Sequence, residues 1–175
     1  MHQAISYGSK KYKSLKISFS KDNRMKDILA ILMQLELPLK RVDRSNWEFV
    51  VLELLTNAIR ASVERKTEAK IIMHLKLENS FFYTYITDGA GGFDLESLPY
   101  DIFEDADKID VFSKHFEQYR LYNDYKRYGL GLFSAKKFAD EFDIFFIDNE
   151  GQQTRNYAPG SLFGTFISIK KRTEG

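Results

Sequence analysis

Four short stretches of this sequence combine residue types and spacings suited to phosphate or metal chemistry. The first holds Glu53, Asn57 and Arg60. At about 100° per residue, these three side chains share one side of a helix. An amide oxygen suits Mg²⁺, a carboxylate suits a general base, and a guanidinium suits phosphate. The alternative for this stretch is an ordinary solvated helix face, where Glu, Asn and Arg are common.

The second stretch is DGAGGFD, residues 88–94. Its glycines suit a turn after a strand, because glycine adopts left-handed backbone freely. They would also let backbone pass close to a flat ligand, whose amino group would donate to Asp88. A calcium loop fits poorly, since Ala90 and Gly92 stand where oxygen donors are needed. Taken alone, this stretch is compatible with either a turn or a ligand site.

The third and fourth stretches are two glycine motifs in the second half of the chain. Residues 128–137 read YGLGLFSAKK, and glycines before a helix expose N–H groups that attract anions. A flexible helix start is the alternative, and the sequence contains no GxxxxGK[ST] phosphate loop. Gly164 and Thr165 follow later, as a strand glycine that admits close backbone and a hydroxyl that could bond a ligand.

These residues require a scaffold, and its clearest element is a helix predicted over residues 45–65, with Ser45 or Asn46 as its cap. An apolar stripe supports it: Trp47, Val50, Val51, Leu54, Leu55 and Ala58. A shorter helix before it is indicated by Met25, Ile28, Leu29 and Leu32.

Alternating or β-rich runs predict strands at residues 15–19, 69–77, 80–87, 143–148 and 162–170. Between the third and fourth strands lie an aromatic-rich segment without a clean pattern and then a helix. This order predicts an α/β (α+β) two-layer sandwich. Its mixed, mostly antiparallel sheet would be covered on one face by helices.

Composition limits the function classes. The chain has 175 residues, a net charge of +1 and no cysteine, which fits one globular domain over residues 1–175 without disulfides or thiolate metal sites. The weak net charge does not favour nucleic-acid or membrane binding. The charged N-terminus is unlike a secretory signal, and no apolar run approaches the roughly 20 residues of a membrane span. We therefore expect a cytoplasmic protein.

The four stretches together resemble the ATPase superfamily shared by histidine kinases, DNA gyrase, Hsp90, MutL and the anti-sigma-factor serine kinases. The N-box appears as ELLTNAIRA (53–61), the first glycine box as DGAGGF (88–93), the second as GLGL (129–132) and the late strand motif as GT (164–165). The resemblance covers about residues 15–170. It implies the Bergerat fold, with a mobile lid at about residues 94–128 that closes over ATP.

The resemblance implies roles at matching positions. Glu53 would be the general base, Asn57 would bind Mg²⁺, and Arg60 would lie near the phosphates. Asp88 would accept a hydrogen bond from the adenine amino group, with support from Thr165 through water.

The resemblance also implies that Gly92 passes beside the adenine and that the 129–132 backbone meets the phosphates. Besides Asn57, Arg60, Asp88 and Thr165, the residues expected to contact the nucleotide are Ala61, Ala90, Gly92, Phe93, Arg127, Tyr128, Gly129, Leu130, Gly131 and Leu132.

Two positions depart from the superfamily pattern. Ala90 replaces the first glycine of D-x-G-x-G, where a methyl group would narrow the pocket or demand a different turn. Arg127 stands where the second box often begins with another glycine. Both departures bear on turnover rather than on the fold.

Among superfamily members, a standalone domain with one short strand and a helix before the N-box is most similar to the anti-sigma-factor serine kinases. That similarity implies an ATP- and Mg²⁺-dependent protein kinase that phosphorylates an antagonist protein and binds a sigma factor, and that could form a homodimer. A phosphoacceptor histidine on a helical hairpin is not expected, because His2 is terminal, His74 lies in a predicted strand and His115 lies in the lid.

The lid allows a second interpretation. Residues 94–127 contain seven Phe or Tyr, nine Asp or Glu and five Lys or Arg. This segment could be a small satellite core over the nucleotide or a face that docks a partner. Together with Ala90 and Arg127, it favours as the alternative function a nucleotide-sensing binding module without phosphotransfer. A degenerate domain that binds no nucleotide is the third alternative.

Overall fold

The computed structural model describes residues 4–125 and 129–173. Its strands are β1 (Ile5–Tyr7), β2 (Lys10–Tyr12), β3 (Ser14–Phe19), β4 (Leu35–Glu36), β5 (Ile71–Glu78), β6 (Phe81–Thr87), β7 (Glu141–Asp148), β8 (Gln153–Thr154) and β9 (Leu162–Arg172). Its α-helices are α1 (Met25–Leu32), α2 (Arg41–Glu64), α3 (Lys114–Tyr122) and α4 (Leu130–Phe138). Within the described ranges, no helix combines the length and apolar character needed to cross a bilayer.

The main sheet has the strand order β3-β5-β6-β9-β7-β8, and each pairing described in it is antiparallel. Helices α2 and α4 pack against it, and α1 packs on α2. The prediction of a two-layer sandwich with a mostly antiparallel sheet is therefore confirmed. A second small sheet, β2-β1-β4, was not predicted, because strands of two or three residues are too short to show alternation.

The central hairpin follows from its alternating side chains. Met73 and Leu75 of β5 and Phe82 of β6 are buried in the core under the helices. The hairpin turns at Asn79 and Ser80, whose φ angles of 50° and 62° are left-handed. Asn tolerates this backbone, and two such residues match the twist of the flanking strands.

Helix α2 is fixed on the sheet by its apolar stripe and one polar bond. Trp47 is fully buried, and its indole Nε1 donates to Thr84 Oγ1 of β6 over 2.8 Å. The helix begins at Arg41, so the predicted caps are wrong: the Ser45 hydroxyl instead donates to the Arg41 carbonyl within the helix. This anchoring sets the polar strip of α2, which includes Glu53, toward α4.

Candidate nucleotide site

The polar strip of α2 faces the start of α4. Glu53 is half-buried, Asn57 is exposed, and the Arg60 guanidinium donates to Asn57 Oδ1 over 3.2 Å. Gly131 packs on this strip, since a Cβ atom there would lie 3.0 Å from Asn57 Nδ2 and 3.6 Å from Glu53 Cβ. The first and third sequence stretches thus meet in space, where a carboxylate and an amide adjoin a helix start.

The start of α4 has the features of an anion site. Its N-cap residue, Gly129, which directly precedes the helix, has a left-handed φ of 74°, and no side chain caps the helix. The first N–H groups of a helix lack carbonyl partners within the helix, and its dipole favours negative charge there. Because Gly131 places this turn against Asn57, an anion bound here would lie beside the polar strip of α2.

Asp88 lies directly after β6 and is held by the start of β9. Its backbone N–H donates to the Thr165 carbonyl over 3.1 Å, and the Gly91 N–H donates to the Phe163 carbonyl over 2.9 Å. A Cβ atom on Gly164 would overlap the Asp88 carbonyl oxygen and lie 2.9 Å from Gly89 Cα. The second and fourth stretches therefore form one tightly packed unit in which only glycine fits at position 164.

The Asp88 carboxylate has an unusual environment. Burial raises its pKa to about 6, while the backbone N–H groups of Ala90 and Thr165 act to lower it. The Ala90 N–H donates to Asp88 Oδ1 over 2.8 Å. A half-buried carboxylate with one oxygen fixed by backbone is suited to accept a further hydrogen bond from a ligand amino group.

The glycine box shows which positions require glycine. Gly91 and Gly92 have left-handed φ angles of 80° and 71°. Ala90 is buried and is not among the residues with positive φ, so its methyl group imposes no strain on the backbone. The turn is therefore formed with alanine in place of the first glycine of D-x-G-x-G.

Two residues beside this turn were missed by the sequence analysis. A Cβ atom on Gly92 would lie 3.0 Å from both Phe146 Cδ1 and Leu162 Cδ1. Phe93 meets Phe146 edge-on, with ring centroids 5.9 Å apart. Phe146 belongs to the apolar run of β7, and nothing in that run distinguishes it from a general core residue before the pairing of β7 with β9 is known.

The lid packs on the base of α4 through aromatic rings. Tyr100 stacks on the fully buried Phe116 with centroids 5.4 Å apart, and it meets Phe133 of α4 edge-on at 6.2 Å. A Cβ atom on Gly129 would lie 3.0 Å from Pro99 Cγ and 3.3 Å from Phe116 Cε1. This part of the lid is a small satellite core that contacts the predicted phosphate site.

The remaining predicted residues fall as follows. Ala61 is half-buried one turn beyond Asn57, and Thr165 is buried at the β9 end of the Asp88 unit. Leu130 and Leu132 are half-buried in the first turn of α4. Arg127 and Tyr128 lie outside the described residues.

The two described histidines lie where the sequence placed them, and His2 lies outside the described residues. His74 is in β5, where its Nε2 and the Ser14 hydroxyl are 2.8 Å apart. Burial and the nearby Lys16 and Lys76 lower the pKa of His74. His115 is exposed on α3 of the lid. Since α3 belongs to the lid, neither of these residues lies on a phosphoacceptor hairpin.

The fold and the glycine-lined site define a nucleotide-binding two-layer sandwich. A family model described as histidine kinase-like ATPase domain matches residues 20–156. The chain therefore belongs to this family, and its membership implies ATP binding. Gly164 and Thr165 lie beyond the matched range, yet they contact the Asp88 turn inside it. A comparison with curated proteins gave no match.

Proposed function

We propose that this protein is a Mg²⁺-dependent serine/threonine kinase of the anti-sigma-factor type, which phosphorylates an antagonist protein and controls a sigma factor by partner switching. The observation that supports this proposal most is the packing of Gly131 against Glu53 and Asn57. It brings a general base and a metal ligand to the helix start expected to bind phosphates. We also propose that the protein acts in the cytoplasm, where such partners occur.

In this proposal, Glu53 takes the proton from the substrate hydroxyl as that oxygen attacks the γ-phosphorus and the bond to ADP breaks. The 129–132 backbone holds the phosphates, and Arg60 neutralises part of their charge. Asp88 and Thr165 recognise the adenine, with Ala61, Gly92 and Phe93 around it.

The residues present fit a magnesium ion that is bound mainly by ATP. Asn57 offers an exposed amide oxygen beside the half-buried Glu53 carboxylate. When bound, Mg²⁺ neutralises phosphate charge during transfer. Arg60 already donates to the same Asn57 oxygen, so this bond would have to be replaced for the metal to bind.

The test is phosphotransfer to a cognate antagonist with labelled Mg-ATP. We expect Glu53→Gln to abolish transfer by removing the base, while ATP binding persists. Glu48→Gln is the matched control, because Glu48 also lies on α2 but bonds to Arg44. Transfer that survives Glu53→Gln would refute the proposed base.

The second candidate is a nucleotide-sensing module without phosphotransfer. It is favoured by the contact of Pro99 and Phe116 with Gly129, which would let bound phosphate change the position of the lid. Nucleotide binding without transfer, together with a partner affinity that depends on the nucleotide, would identify this module.

Homodimer formation stays a prediction, and sedimentation of the purified chain would test it.

A further inference from the structure

The described part of the lid differs sharply in charge from the rest of the protein. Residues 94–125 contain nine Asp or Glu and three Lys or Arg. The remaining residues contain 16 acidic and 23 basic side chains. The lid is therefore an acidic element on an otherwise basic protein.

Many of these carboxylates also build the lid backbone. Asp94, Asp101, Asp105 and Asp110 each accept a hydrogen bond from the N–H two residues later, over 2.9, 2.8, 3.1 and 2.9 Å. Such turns explain why Asp is used at these positions. They do not explain the charge, because Asn forms the same turn without it.

A groove of about 780 Å³ runs along the lid between the 95–103 segment and α3. Glu96, Asp101 and Phe103 line one side. On the other side, residues 115, 118, 119 and 122 of α3 form a row at helical spacing. Tyr122 is 89% exposed and Phe103 is 54% exposed, so the groove presents rings to solvent beside carboxylates.

We propose that this groove binds a basic, amphipathic helical segment of a partner protein. Apolar side chains at three- and four-residue spacing on the partner would contact the rings, and its Lys or Arg residues would face Glu96 and Asp101. The α3 row runs from residue 115 to residue 122, so it offers about 10 Å of contact, or about two turns of a bound helix. The proposal goes beyond phosphotransfer and does not depend on it.

Charge and shape disfavour the other occupants. Nucleic acid and anionic membranes would be repelled by the acidic lid. A symmetric contact with a second copy would place this lid against the same acidic lid. Small-molecule sites usually enclose most of the ligand surface, whereas the rings of this groove are largely open to solvent.

The experiment uses the full chain without nucleotide and two labelled synthetic peptides of about 18 residues. Both have Leu at helical spacing, and the other positions are Lys in one peptide and Glu in the other. By fluorescence anisotropy, we expect the Lys peptide to bind at least about tenfold more tightly. The double variant Phe103→Ser and Tyr122→Ser should weaken its binding about tenfold, because the anchoring rings are lost.

The matched controls distinguish binding in this groove from non-specific attraction of the Lys peptide to the acidic lid. Phe112→Ser should leave binding unchanged, since Phe112 is equally exposed, at 89%, and is not part of the groove lining. Asp101→Asn should retain the turn and weaken binding about threefold, with a smaller effect at high salt.

Equal binding of both peptides, or full binding by the double variant, would overturn the proposal. A dimer of the wild-type chain that the double variant dissociates would also overturn it, in favour of a second copy. Because nucleotide is omitted, failure here leaves the kinase test unaffected, and failure of that test leaves this proposal standing.

Discussion

The nucleotide cleft and the lid are held together in different ways. In the cleft, glycine backbone packs closely on its neighbours: Gly164 on the backbone of Asp88, and Gly131 on the side chain of Asn57. In the lid, Asp side chains form the turns and a few rings, with Phe116 at their centre, form the core. The fold should therefore tolerate no added volume at position 164 of the cleft, whereas the lid should tolerate surface changes but not loss of its central ring.

The largest effect is expected from Gly164→Ala. The new methyl group would overlap the Asp88 carbonyl oxygen, a backbone atom that cannot move without breaking the β6–β9 pairing. We expect destabilisation of at least about 3 kcal/mol in chemical denaturation.

Gly160→Ala provides the control for this substitution. Gly160 has a φ of 82° and no neighbouring atom within 4 Å, so its replacement should cost only about 1 kcal/mol of backbone strain. An equal loss in the free energy of unfolding for Gly164→Ala and Gly160→Ala would contradict the claim that close packing defines the cleft.

Phe116→Ala should disrupt the lid without unfolding the sheet. Phe116 is fully buried under Tyr100, and loss of its ring should cost about 3 kcal/mol of local stability. Hydrogen exchange should then rise in residues 95–122 and stay slow in β5 and β6. Exchange that rises equally in both regions would show that the lid is part of the main core. Phe112 is an exposed ring, so Phe112→Ala should change hydrogen exchange neither in the lid nor in β5 and β6.

The cleft and the lid also differ in how far the sequence predicted them. The apolar spacing of Val51 and Leu55 was enough to place Glu53 and Asn57 on one side of α2, because helix periodicity is local. The need for glycine at position 164 depends on β6 pairing with β9, which is a contact between distant residues. It could not be derived from local pattern.

The lid had no predictable regular pattern for a physical reason. Its turns are set by single Asp side chains such as Asp101 and Asp105, each bonded to an N–H only two residues away. Its core depends on Tyr100 meeting Phe116 and Phe133 across long loops. The resemblance to known ATPases predicted that a lid exists, but the composition alone did not decide between a satellite core and a docking face.

Gly131→Ala should separate folding from nucleotide binding. Alanine favours the helix over glycine by about 1 kcal/mol, so the melting temperature should stay the same or rise. The added Cβ would lie 3.0 Å from Asn57 Nδ2 and would displace that amide. We expect Mg-ATP affinity to fall about tenfold in calorimetry. Unchanged affinity would mean that Asn57 does not contribute to binding from its present position.

A smaller effect should appear with pH. The pKa of Asp88 is raised from 3.8 to about 6, so the carboxylate is ionised above pH 6 and protonated below it. ATP affinity should be about fivefold lower at pH 5 than at pH 8, because a protonated carboxyl loses its negative charge and presents an O–H donor to the adenine amino group, which also donates. The difference in ATP affinity between pH 5 and pH 8 should shrink in Asp88→Asn. An equal pH dependence in that variant would show that other groups cause the difference.

The same raised pKa affects stability in the opposite direction. The folded carboxyl binds its proton more tightly than the unfolded one, so its contribution to stability is present below about pH 4 and is lost as the pH rises toward 6. Thermal unfolding between pH 4 and pH 6 should show a loss of stability with rising pH that is larger in wild type than in Asp88→Asn.

The central claim is that the cleft binds ATP with Asp88 as the adenine acceptor. Calorimetric titration of wild type and Asp88→Asn with Mg-ATP at pH 8 tests it most directly. Asparagine keeps an acceptor for the Ala90 N–H but turns an NH₂ donor toward the adenine amino group. We predict tight binding to wild type and at least about tenfold weaker binding to the variant, without loss of folding. Equal ATP affinity in two folded proteins would contradict the account.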